Sequence, residues 1–161
     1  MSDPLDILEN TTYDELQEGD SATYSRTLTE DELVLFAAVS GDVNPVHLDP
    51  EYAATTVYQE RIAHGMWSGS LVSAALATVL PGPGSIYREQ SLSFKRPVRL
   101  GDTVTVNLKV SRKARQNLVF FSCDVRNQNG EQIAVGDAKV IAPTQKMSVP
   151  KPRLPRITIE H

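Results

Sequence analysis

Asp42 and His47 stand five positions apart in the segment Asp42-Val-Asn-Pro-Val-His-Leu-Asp-Pro, with Asn44 between them. Pro45 and Pro50 each remove a backbone donor and push the preceding residue out of helical geometry, so this stretch is a shaped loop. A loop bent in this way lets a carboxylate and an imidazole point at one ligand, and these are the residue types of acid–base chemistry. The spacing also suits a plain structural role, in which Asp42 caps a turn and His47 is a satisfied packing residue. His161 is terminal, which leaves His47 and His64 for any histidine-dependent mechanism. His64-Gly65 opens the longest helix candidate, where unpaired backbone N–H groups and the positive end of the dipole hold a negative oxygen. A glycine there lets a ligand come close, or serves only tight packing.

The remaining reactive types are less promising. Met66 and Trp67 are expected in the core or at a dimer contact. Cys123, the single cysteine, lies on an alternating strand and is expected to be a small buried apolar residue, not a nucleophile. One cysteine also excludes an internal disulfide framework and a multi-cysteine metal centre. No His-Glu-x-x-His spacing occurs, so no metal site is expected.

The elements that must position these residues follow from periodicity and breakers. Ser21 to Leu28 alternates as a strand does. Thr29 followed by Glu30, Asp31 and Glu32 predicts the capped, acidic start of a helix that ends near Ser40-Gly41. Asp49 and Pro50 predict a short helix through Ala54. The long helix is expected from His64 to Leu80, rich in Gly, Ser and Ala for close packing and ended by Pro81-Gly-Pro-Gly. Beyond it the signal is period two: Leu92/Phe94, Val104 to Val110, Val119 to Val125, Ile133/Val135 and Ala138/Val140. Asn127 to Gly130 predicts a hairpin turn, and Gly136 a bulge. Helices early and antiparallel strands late give an α+β domain in which one sheet covers one long helix. After Ala142, Pro143, Pro150, Pro152 and Pro155 with interspersed basic residues predict an extended tail or linker.

A length of 161 residues allows one ordinary domain plus extensions, and 40% hydrophobic with 22% charged residues suits a soluble, cored protein. The apolar stretch Met66 to Leu80 falls short of the roughly 20 residues that span a bilayer, and the acidic N-terminus lacks secretory features, so a cytoplasmic location is expected. The net charge of -4 divides as -13 over residues 1–60, +6 over 61–145 and +3 over 146–161. An acidic front argues against a nucleic-acid binder, whereas the basic residues from Arg88 to Arg115 suit a phosphorylated small molecule or solvated strand edges.

The order of three motifs adds a resemblance. The run from Phe36 to Thr56, then Ile62-Ala-His-Gly-Met, then Pro83-Gly-Ser-Ile-Tyr with Leu92-Ser-Phe-Lys-Arg-Pro-Val-Arg-Leu-Gly-Asp-Thr-Val, strongly resembles the MaoC-like (R)-specific enoyl-CoA hydratases over residues 15–142. The resemblance implies a hot-dog fold, a long helix wrapped by an antiparallel sheet, paired as a homodimer whose sheets join. It implies that Asp42 and His47 are a catalytic dyad, that Asn44 helps to place water, that the Gly65 N–H faces a thioester carbonyl, and that Ser73 supports the dyad. The implied reaction is reversible hydration of a trans-2-enoyl-CoA to an (R)-3-hydroxyacyl-CoA. CoA enters as part of the substrate, and no metal or redox cofactor is required. Arg88, Lys95, Arg96, Arg112 and Lys113 become candidates for the CoA phosphates.

The segment Val140-Ile-Ala-Pro-Thr-Gln-Lys with its basic tail also resembles the junction in bifunctional enoyl-CoA hydratase/phosphate acetyltransferase proteins. The expected organisation is a 1–14 extension, a 15–142 hydratase-like domain and a 143–161 tail. Two alternatives stand beside hydration: a non-catalytic acyl-CoA-binding or dimerisation module associated with a phosphate acyltransferase, and a hot-dog thioesterase.

Overall fold

A computed structural model describes residues 7–160. Strands β1 (Ile7–Glu9) and β2 (Ser21–Thr27) precede helices α1 (Glu30–Ser40), α2 (Pro45–Leu48), α3 (Pro50–Ala54) and α4 (Gly65–Thr78). Strands β3 (Ile86–Gln90), β4 (Ser93–Phe94), β5 (Thr103–Lys113), β6 (Leu118–Arg126), β7 (Gln132–Ile141) and β8 (Ser148–Pro150) follow. The main sheet is antiparallel, in the order β2-β5-β6-β7-β3, with β4 also paired to β7. This α+β architecture, one sheet around one long helix, is the arrangement the resemblance implies.

Helix boundaries follow their caps. The Thr29 side chain accepts from the Glu32 N–H at the start of α1, and Gly41, at φ 76, closes it in the left-handed conformation. Asp49 accepts from the N–H groups of Glu51 and Tyr52, and Asn44 from that of Val46, so α2 and α3 are each set by a side chain that sequence places before a proline. Helix α4 buries Trp67, Ser68, Gly69, Leu71, Val72, Ala75 and Leu76, a spread too wide for a single stripe, because the sheet wraps it.

The sheet's inner face is the period-two set: Val104, Val106, Leu108 and Val110 on β5, and Val119, Phe121, Cys123 and Val125 on β6, each almost fully buried. Each such apolar side chain stabilises the fold by about 1.5–3 kcal/mol relative to exposure. Burial, first, and the nearby Asp137 charge raise the Cys123 thiol to about 11, against a smaller lowering by Gln90. Cys123 is therefore a core residue, as its strand position predicts.

Two expectations are corrected. The bulge in β7 falls at Ile133, between the pairs Val125–Ala134 and Arg126–Gln132, and buries Ile133 and Ala134 in succession. Gly136 instead pairs in register with Cys123. It is glycine because a Cβ there would lie 1.8 Å from the Ser91 carbonyl oxygen. The segment after Ala142 is also not an unpacked linker at its start. Ser148–Pro150 pairs with Ile7–Glu9, and buried Asn10 donates to the carbonyls of Pro83 and Gln145 while its Oδ1 accepts from the Met147 N–H. Asn10, in the expected N-terminal extension, therefore stitches both ends of the chain to the turn that follows α4. Residues 151–160 carry no regular structure.

Candidate active site

Both members of the dyad are held by short local segments. Asp42 follows the left-handed Gly41, its N–H donates to Ser40 Oγ, and its Oδ1 accepts from the Asn44 N–H at 3.1 Å. That leaves Oδ2 outward, on a side chain half exposed. His47 sits on α2 with its ring almost fully buried. Its Nδ1 lies 2.7 Å from the carbonyl oxygen of Ile62. A carbonyl only accepts, so Nδ1 carries the proton and Nε2 presents a lone pair.

That Nε2 lies 3.7 Å from Asp42 Oδ2. The separation is too long for a direct hydrogen bond and short enough for one water to touch both groups. The loop thus aims two proton-accepting atoms at one point, one on a buried imidazole and one on an exposed carboxylate.

Gly65 is the first residue of α4, and its N–H is one of the donors that a helix start leaves without an internal partner. Its φ is not in the left-handed region, and a Cβ on it would meet the Phe94 ring at 3.4 Å, an ordinary contact. The fold does not demand glycine there. Gly65 instead lines a cavity of about 370 Å³ shared with Ile62, Ala63, His64, Ser68, Phe94, Lys95 and Arg96. The missing side chain therefore gives room to whatever occupies that cavity.

His64 joins the two halves of the site. Its Nε2 lies 2.8 Å from the Asp42 backbone oxygen, and its ring stacks on His47 at 3.7 Å between centroids with 24° between planes. Sequence reasoning leaves His64 as a capping or packing residue. Its side chain makes no cap hydrogen bond in the structure, and the only signal available was its position directly before Gly65. Ligand atoms of Asp42, His47 and His64 all lie within 4.8 Å of one another, a spacing that bears on metal binding. Face-to-face rings, however, send their in-plane lone pairs side by side instead of converging on one ion, so the donor set is poorly shaped for a metal.

The other predicted site residues are brought in unequally. Asn44 Oδ1 is committed to the Val46 N–H, so its visible work is shaping the loop. Ser73 lines a separate cavity of about 520 Å³ with Phe36, Met66, Gly69, Ser70 and Tyr87 to Gln90. Among the described residues no hydrogen bond joins Ser73 to the dyad. Lys95 and Arg96 line the Gly65 cavity, whereas Arg88 lies on β3 beside the Ser73 cavity. Arg112 and Lys113 are not brought to the site. They end β5 and line neither the Gly65 cavity nor the Ser73 cavity. There Arg112 lies over the Phe120 ring, and the Lys113 ammonium donates to the Leu16 carbonyl and lies over the Tyr13 ring.

Known proteins resemble this chain along most of its length. The family model described as a MaoC like domain matches residues 14–130. An (R)-specific enoyl-CoA hydratase of Rhodospirillum rubrum is 44% identical over 136 residues, which cover 83% of this chain and 92% of that protein. The solved R-hydratase PhaJ1 from Pseudomonas aeruginosa, in the unliganded form, superposes with a TM-score of 0.93 at 53% identity, covering 96% of this chain and 99% of that one. An (R)-hydratase from A. caviae, described as involved in PHA biosynthesis, gives a TM-score of 0.77 at 42% identity, covering 80% of this chain and 98% of that one. The fold is therefore the hot-dog fold of these neighbours. The chain belongs to the MaoC-like family, a hydro-lyase family.

Proposed function

We propose that this protein is an (R)-specific enoyl-CoA hydratase that adds water reversibly across trans-2-enoyl-CoA to give (R)-3-hydroxyacyl-CoA. The observation that carries the reading is the aim of His47 Nε2 and Asp42 Oδ2 at one point, 3.7 Å apart, with His64, the residue directly before Gly65 at the start of α4, stacked on His47. His47, its Nδ1–H fixed on Ile62, takes a proton from the shared water at Nε2 as the water oxygen bonds to C3. The C2–C3 π electrons move to the thioester, and the Gly65 N–H donates a hydrogen bond to the carbonyl oxygen as negative charge grows on it. One such donor contributes on the order of 3 kcal/mol in comparable sites. Asp42 orients the water and offsets the imidazolium charge. His47 then returns the proton to C2 on the same face, which restores the dyad and completes the addition of one water.

No step requires a metal or redox cofactor. Lys95 and Arg96, at the Gly65 cavity, are the residues proposed to meet the CoA phosphates, and the proposed partner is a second copy of the chain. Strand β3 is an edge strand carrying the exposed Ile86 and Tyr87, and joining two such edges would continue the sheet across a homodimer. An attached phosphate acyltransferase is not part of this proposal, because the segment after Ala142 begins by pairing with β1 and the match to the Pseudomonas aeruginosa hydratase takes in most of residues 143–161.

The test is loss of the conjugated enoyl-thioester absorbance with crotonyl-CoA, followed by chiral analysis of the product. The (R)-3-hydroxy product from wild type, lost in Asp42→Asn, is expected. Thiol release from a saturated acyl-CoA without hydration would favour a thioesterase, and acyl-CoA binding without either reaction a binding module.

A further inference from the structure

His64 is 3% exposed and meets all three parts of the site. Its Nε2 faces the Asp42 carbonyl oxygen at 2.8 Å, its ring lies flat against that of His47, and its own carbonyl carbon is bonded to the nitrogen of Gly65. Phe36 backs the far side, 5.0 Å from the His64 ring and tilted by 51°. Because a carbonyl only accepts, Nε2 carries the proton. Nδ1 is then a bare lone pair, and it is buried without a hydrogen-bond partner among the described residues. A residue kept only to fill space would not bring a buried, unpartnered ring nitrogen into the core, since an apolar ring of similar size avoids that cost. The proton at Nε2 is the feature an apolar filler lacks.

Resting on the hydratase reading, we propose that His64 is a positioning residue that sets the distance between the dyad and the oxyanion donor. The Asp42 side chain is half exposed and its own N–H and Oδ1 bond only to Ser40 and Asn44, while the loop's bonds to Ile62 start further on, at Val46 and His47, so neither fixes Asp42 itself relative to α4. The His64 N–H is the hydrogen bond that ties Asp42 to the start of α4. Its flat ring also limits how far the His47 imidazole tips away from the water it shares with Asp42. Small misplacements of reacting groups are expensive, about a hundredfold in rate for 1 Å, so one such tie has a large kinetic effect and a small effect on binding.

Two variants separate the tie from the filling. His64→Phe keeps an aromatic plate against His47 and loses the donor, whereas His64→Gln places an amide N–H near the position of Nε2. With crotonyl-CoA, His64→Phe is expected to lose kcat by about tenfold or more with KM changed by less than about threefold, and His64→Gln to recover most of the loss. In amide NMR spectra, the Asn44 N–H, which reports on Asp42 Oδ1, is expected to shift in His64→Phe and return toward its wild-type position in His64→Gln. Equal kcat in wild type and both variants would overturn the proposal, as would equal loss in both accompanied by a matching fall in Tm. If His64→Phe does not fold, His64→Met makes the same comparison. The NMR arm does not need turnover: if the wild type fails to hydrate crotonyl-CoA, an Asn44 signal that shifts in His64→Phe and returns in His64→Gln still supports the tie, and the hydratase reading alone is overturned.

Discussion

The Nδ1 of His47 lies 2.7 Å from the backbone oxygen of Ile62, 15 residues further along the chain. This bond fixes the tautomer of the ring and hands the chemistry to Nε2. Ile62 is itself held, since its N–H reaches the Val46 oxygen and it bridges to Arg99 across the start of the sheet. Four consecutive residues therefore organise the site: Ile62 orients His47, Ala63 ties the strand to Val98, His64 holds Asp42, and Gly65 supplies an N–H.

Removing the base should abolish turnover with little change in fold. His47→Ala is expected to lower kcat by about 10²–10⁴-fold, and Asp42→Asn by a comparable amount, with circular dichroism and oligomeric state unchanged. Steady-state kinetics with crotonyl-CoA measures this. Full activity in either variant would remove that residue from the mechanism.

Gly65 is glycine for the ligand and not for the fold, because its φ is ordinary and a Cβ meets only the Phe94 ring at 3.4 Å. Gly65→Ala is therefore expected to keep Tm within a few degrees while kcat falls by about ten- to a hundredfold. A large drop in Tm with unchanged kcat would reverse this assignment.

Gly136 is glycine for the opposite reason. An added Cβ would sit 1.8 Å from the Ser91 carbonyl oxygen, a backbone atom of a residue held to β7 by the Ser91 N–H on the Asp137 carbonyl and the Asp137 N–H on Ser91 Oγ. Gly136→Ala is expected to destabilise by about 3 kcal/mol or more, measured by chemical denaturation. A neutral result would show that this strand crossing is much looser than it is drawn.

The basic residues divide by position. Lys95→Ala and Arg96→Ala, at the Gly65 cavity, should raise KM for crotonyl-CoA and leave kcat nearly unchanged, whereas Arg112→Ala should leave both unchanged. Equal KM effects from all three would indicate general electrostatic attraction and not a phosphate site.

Cys123 gives a pH signature. Its thiol is raised from 9.0 to about 11, mainly by burial, so between these values the unfolded chain loses the thiol proton and the folded chain keeps it. The Cys123 contribution to stability is complete below pH 9 and is lost as pH rises toward 11. Replacing it in Cys123→Ala should flatten this part of the stability curve, and native protein at pH 8 should resist alkylating reagents until it is unfolded. Rapid labelling of native protein would contradict the burial.

Much of this was legible in the sequence because the signals were local. Thr29, Gly41, Asp49 and Pro50 set helix ends through contacts only a few residues apart, and the alternation in β5 and β6 follows from one face meeting α4. The Asp42/His47 loop was legible for the same reason. What was not legible depends on long-range contact. The bulge falls at Ile133 and not at Gly136, because it is the approach of Ser91 that requires glycine. The proline-rich tail looks unpacked until Asn10, more than 130 residues away in sequence, supplies its hydrogen bonds. In sequence His64 reads as a capping or packing residue because its partner, the Asp42 carbonyl, is a backbone atom that carries no sequence signal. Arg112 and Lys113 share only charge with Lys95: Lys95 lines the Gly65 cavity, whereas they sit against Phe120, Tyr13 and Leu16.

In the proposed mechanism His47 and Asp42 deliver one water to one face of the double bond. Hydration of crotonyl-CoA in D₂O, with the product resolved by NMR, tests it most directly. One diastereomer is expected, with the deuterium at C2 and the hydroxyl at C3 added to the same face and the 3-hydroxy centre of the (R) configuration. A product with deuterium and hydroxyl on opposite faces, or a mixture of both diastereomers at early conversion, would contradict it.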